Sequence, residues 1–326
     1  MKPEKRSSIL LLSACVLATG LLPLVLYWLF PGMALSETQT PGFRATALFE
    51  QWLVVVTAFG IKPAYMLLSL IAILWLWRER SADLVALRWG LIVFWLGENA
   101  CSVNYMVVRG NSDFWEYLHN FGMAVCFSFV TYALLEGMDL RLIKLSAPKD
   151  RCAALSLCRA CIKYADVPCG LVRVFKMLIP ATLVAAIVLP SATLNTAGYD
   201  TSILGTTVHY SEDLADQLFE IRYCPALAIA LLIASWLVLL LKRHEPVFLS
   251  KMLFAAAMGP LGFGFLRLFL FAVFRNDLIQ FVVWEEITEL VFTFGVLFTL
   301  VVFRQSLLAR HPSTPADESG FIEAPA

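Results

Sequence analysis

Residues 52–77 read WLVVVTAFGIKPAYMLLSLIAILWLW and carry a single charge, Lys62. At 1.5 Å per residue a helix of that length covers roughly 39 Å, more than the ~30 Å of hydrocarbon in a bilayer. Its apolar residues are continuous rather than alternating, which excludes a barrel strand. Outward from this run, comparable stretches lie at 9–30, 84–108, 115–137, 177–196, 223–241, 251–274 and 281–303. The pattern predicts an all-α fold, a polytopic transmembrane helix bundle of about eight spans in a cell (inner) membrane, with the lipid bilayer as its main partner. Composition agrees, since 60% of residues are hydrophobic and 15% charged, against roughly 25% charged in a soluble domain. Basic and acidic residues number 25 each, so no bulk positive field is present to hold nucleic acid.

Orientation follows from the basic residues. With the N-terminus inside, 18 of them fall in cytoplasmic segments, against Arg44, Arg109, Arg222 and Arg275 outside. Every loop then obeys the positive-inside rule, and both ends are cytoplasmic. The first run is about 22 residues long, longer than the ~7–15 of a signal h-region, and reads as a retained anchor. Trp28, Trp52, Trp75, Trp77, Trp115 and Trp284 stand at segment ends and suit the interfacial belts.

The chain divides into helices one to four (1–137), a basic loop (138–176), helices five to eight (177–304) and a tail (305–326) whose Pro, Ser, Ala and acidic residues read as disordered. The outer loop 197–222 is acidic, and Glu212, Asp213, Asp216 and Glu220 are expected on a short surface helix. Gly259, Pro260, Gly262 and Gly264 fall mid-span. They read either as close helix packing or as a discontinuous helix whose freed backbone lines a site.

Two features carry chemistry. Cys152, Cys158, Cys161 and Cys169 lie within 18 residues of the cytoplasmic loop, where disulfides rarely persist. Four thiolates can close a tetrahedral site for zinc or hold an iron-sulfur cluster. Their C-x5-C-x2-C-x7-C spacing matches neither ferredoxin runs nor paired zinc knuckles, and free or lipidated juxtamembrane cysteines are the alternative. The same loop could dock a soluble cytoplasmic partner.

The second feature is a set of ionisable groups inside the spans: Lys62, Glu98, His119, Arg267, Glu285, Glu286 and Glu289. A charge at membrane depth costs at least ~2.5–3.5 kcal/mol, so such groups face inward and pair. Counting from the outer helix ends puts Glu98, His119, Arg267 and Glu289 at similar depths, roughly 6–15 Å. They are expected to converge on one polar site, with Lys62 and Glu285 beside it; Glu285 and Glu286 can also reach water. Ion pairs such as Lys62 with Glu98 and Arg267 with Glu289 are the purely structural reading. P-loop, Rossmann, HExxH and CxxCH motifs are absent. Both features together suggest a membrane redox subunit linked to electron transfer, a quinone or protons. The competitors are an ion- or proton-coupled transporter with a structural zinc, and a membrane assembly or sensing protein.

Overall fold

The computed structural model describes residues 42–108, 112–138, 170–188, 198–210, 216–241, 246–274 and 276–307. The run at 9–30, the four clustered cysteines and the tail beyond 307 lie outside the described residues. Among the described residues seven long helices dominate: α1 (Leu48–Arg78), α2 (Ala82–Met106), α3 (Asp113–Met138), α4 (Gly170–Val188), α5 (Asp216–Leu241), α6 (Pro246–Phe274) and α7 (Leu278–Val302). A hairpin of β1 (Tyr199–Ile203) and β2 (Thr206–Tyr210) stands between α4 and α5. Among the described residues, α1, α2, α3, α5 and α6 are long and apolar enough to cross a membrane. Helix α7 is as long as α2 but carries Glu285, Glu286 and Glu289. Large apolar side chains cover the bundle's outside: Phe59, Leu74, Leu134, Val184 and Phe294 are each more than 60% exposed. An apolar exterior of that extent needs lipid or a partner against it.

Successive helices run antiparallel. The N-termini of α1, α3, α5 and α7 and the C-termini of α2 and α6 meet at one end, which also holds the hairpin. Helix α1 is not regular throughout. Pro63 has no N–H to donate and its ring crowds the carbonyl four residues back. The preceding turn widens into a π-turn, Thr57–Ile61, in which the Lys62 N–H bonds Thr57 O. Single π-turns of this kind re-aim the side chains that follow, and Lys62 is buried here.

The glycine-rich stretch of α6 is not a break. The helix is continuous from Pro246 to Phe274 with Pro260 inside it. The glycines serve packing: a Cβ on Gly259 would overlap the Phe127 carbonyl of α3, and one on Gly264 would lie 3.2 Å from Pro225 of α5. Gly97 and Gly122 bring α2 and α3 together in the same way, a Cβ on Gly122 lying 3.3 Å from the Gly97 Cα.

Three further expectations are corrected. Asp216 and Glu220 belong to the first turns of the long α5 rather than to a short surface helix, and Glu220 is fully buried. Residues 170–176, assigned to the basic loop, are already helical. Trp284 lies inside, stacked on Phe274 at 6.3 Å, and not in an interfacial belt.

The hairpin is fastened to the bundle. Its two-residue turn places Leu204 (φ 47°) and Gly205 (φ 83°) in the left-handed region, the backbone that matches strand twist in tight hairpins. Phe43 bridges to Asp200, and Arg44 N donates to Asp200 O at 2.7 Å. The Arg44 guanidinium clamps Asp277, which caps α7, at 2.5 and 2.9 Å, and reaches Glu50 and the Tyr199 hydroxyl. Burial works against the Arg44 charge, but Asp277 and Tyr199 outweigh it and raise its proton affinity. Burial likewise pushes Tyr199 and Tyr210 above the usual phenol value.

Candidate functional site

A cluster of charged side chains fills the bundle below the hairpin. Its first half is built around Lys62. The ammonium donates to Glu98 Oε2 at 2.7 Å, Glu286 Oε1 at 3.0 Å and the Tyr65 hydroxyl at 3.0 Å, and stands 3.5 Å from Cys101 Sγ. Tyr65 lies one turn beyond Lys62 on α1, so both present to the same face. Its hydroxyl is 2.5 Å from Glu98 Oε2 and 2.6 Å from Glu286 Oε2.

The second half is built around Arg267, which is 1% exposed. Its Nη2 contacts Glu285 Oε1 at 2.8 Å and Glu289 Oε1 at 3.0 Å, two carboxyls one turn apart on α7. Its Nε stands 2.7 Å from Glu220 Oε2, an ion pair rather than an aligned hydrogen bond. Phe263, one turn back on α6, lies beneath the guanidinium at 4.7 Å.

His119 of α3 stands between the halves. Nδ1 faces Gly97 O at 3.2 Å and Glu98 Oε1 at 3.4 Å, and Nε2 faces Glu220 Oε1 at 3.6 Å. The close approach of α2 and α3 at Gly97 and Gly122 puts the ring there. The structure therefore brings Lys62, Glu98, His119, Arg267, Glu285 and Glu289 into one network. Glu286, named in the sequence among the charges inside the spans but not in the expected site, also joins it. Two members are not marked in the sequence as intramembrane charges: Tyr65 carries no charge, and Glu220 sits near Asp216 and Arg222 in what resembles a solvated turn. The signal for Glu220 was available: it is one turn before Cys224 on a helix that continues into an apolar run.

Among the described residues the network holds five carboxyls, Glu98, Glu220, Glu285, Glu286 and Glu289, against two fixed cations, Lys62 and Arg267, with His119 between. Glu98 Oε1, both oxygens of Glu220 and Glu289 Oε2 are buried without a hydrogen-bond partner. Glu98, Cys101 and His119, and also Glu98, Glu286 and Glu289, offer atoms within 4.8 Å of one another. The Lys62 ammonium touches Glu98, Cys101 and Glu286 and already places a positive charge at both groups. Further from the hairpin, Lys251 pairs with Glu136 at 2.9 Å and is separate from this network.

No protein-family model, curated protein or solved structure matches the chain.

Proposed function

We propose that the chain is a multi-pass protein of the cell (inner) membrane, with eight spans and both ends in the cytoplasm, whose buried network is the proton- or cation-accepting site of an ion-coupled carrier. The observation that carries this reading is the excess of carboxyls. Burying unpaired charge costs several kcal/mol per group, so the three negative charges beyond Lys62 and Arg267 need protons or a bound cation. Tyr65 makes the accounting concrete. Its hydroxyl has one hydrogen for two carboxyls at 2.5 and 2.6 Å, and the second contact needs a proton from a carboxyl.

Infrared spectroscopy of the purified protein through a pH titration tests this. Protonated-carboxyl bands that Glu98→Gln and Glu289→Gln diminish are expected, or a melting temperature that rises with sodium or potassium. Neither protonated-carboxyl bands nor a cation effect in the wild type would overturn the reading.

A second reading, a membrane redox subunit with a quinone among the helices, rests on the clustering of Cys152, Cys158, Cys161 and Cys169 within 18 residues. Metal analysis separates the two: iron with sulfide favours it, zinc makes the loop structural, and no metal removes it.

A further inference from the structure

We infer that His119 is a proton relay, joining Glu220 of α5 to Glu98 of α2; this rests on the proton-accepting reading of the network. Each ring nitrogen faces a carboxyl, Nε2 toward Glu220 Oε1 at 3.6 Å and Nδ1 toward Glu98 Oε1 at 3.4 Å; Nδ1 also meets the Gly97 carbonyl at 3.2 Å, which holds the ring and is a contact that transfer to Glu98 must loosen. Both facing oxygens are buried and lack a hydrogen-bond partner. Imidazole is the side chain that takes a proton on one nitrogen while releasing one from the other.

The three groups come from three helices that meet here: a Cβ on Gly97 would lie 3.4 Å from the His119 carbonyl, which sets His119 of α3 level with Glu98 of α2, and Glu220 stands one turn into α5. Beyond Glu98 the Tyr65 hydroxyl continues the row to Glu286.

The step balances without a co-reactant. Protonated Glu220 breaks its O–H bond as Nε2 gains N–H, the Nδ1–H bond breaks, and Glu98 carboxylate gains the proton. The ring returns to its first tautomer by rotation or exchange. Contacts of 3.4 and 3.6 Å exceed a direct hydrogen bond, so transfer needs a closure of about 0.4 Å. Charged groups face the relay from each neighbouring helix: Glu98 from α2 and Glu220 from α5, backed by Lys62 of α1, Arg267 of α6 and Glu289 of α7.

The test is a pH jump on the purified protein, following the carboxyl infrared band in time. His119→Gln should keep the final band amplitude and slow its appearance about 100-fold, the lower end of what a positioned proton-transfer group supplies. Glu220→Gln, which keeps shape but holds no acidic proton, should slow it similarly. In His119→Ala, added imidazole should restore the rate. An unchanged rate of band appearance in both His119→Gln and Glu220→Gln, with full amplitude in His119→Gln, would overturn the relay and leave the accepting site standing. No band in the wild type would overturn the relay, and no band together with no cation effect on melting would overturn the accepting site as well.

Discussion

At the scale of single residues, Lys62 and Tyr65 have different duties although they touch the same two carboxyls. Lys62 supplies charge, and removing one partner of a buried ion pair costs about 3–5 kcal/mol. Tyr65 supplies a hydroxyl, and orphaning a buried acceptor costs about 1–3 kcal/mol. Lys62→Met is therefore expected to destabilise the purified protein more than Tyr65→Phe, read as the shift in unfolding midpoint. Adding Glu98→Gln to Lys62→Met should recover part of the loss, because the uncompensated carboxylate goes too. A double variant less stable than Lys62→Met would show that Glu98 does not depend on Lys62 for its charge balance. The pairs Lys62 with Glu98 and Arg267 with Glu289 are legible in the sequence, since a lone charge in an apolar run must find a partner at its own depth. Glu220 was not legible in this way. Asp216 and Arg222 bracket it, and it reads as buried only once α5 is followed unbroken from Asp216 into its apolar run.

At the scale of elements, the continuous apolar runs locate the helices of the described bundle, because a stretch of such length has few other ways to satisfy its backbone in an apolar setting. The meaning of the glycines is not legible locally: the residues at 259–264 serve a break or a close contact equally well until the neighbouring helix is known. Their surroundings now separate them. Gly259→Ala drives a methyl into the Phe127 carbonyl, overpacking that should cost about 1–3 kcal/mol. A Cβ at Gly262 meets nothing within 4 Å, and Gly262→Ala should gain up to about 1 kcal/mol from helix propensity. Melting curves in one detergent decide between them; equal effects would mean that α3 and α6 do not press together at Gly259. The hairpin was hidden for another reason: its strands are five residues each, and they are held by distant groups, Arg44 and Asp277, that no local pattern links.

At the scale of the whole molecule, the charge asymmetry and the bundle's geometry bear on the same question from different sides. In the proposed orientation the loop after α3 is cytoplasmic, and the hairpin and the Arg44 clamp stand on the opposite face of the membrane. The relay's proton would then come from the hairpin side. This orientation is open to direct measurement, because Leu204 sits at the exposed tip of the hairpin turn and Cys158 lies in the basic loop. An impermeant thiol reagent added to intact cells is expected to label Leu204→Cys in a chain whose other cysteines are replaced. The same reagent should label Cys158, kept as the sole cysteine, only after the cells are opened. Labelling of Cys158 from outside, with Leu204→Cys protected, would invert the bundle and turn the relay toward the cytoplasm. The contacts among Glu220, His119 and Glu98 would be unchanged, but the compartment supplying the proton would be the other one.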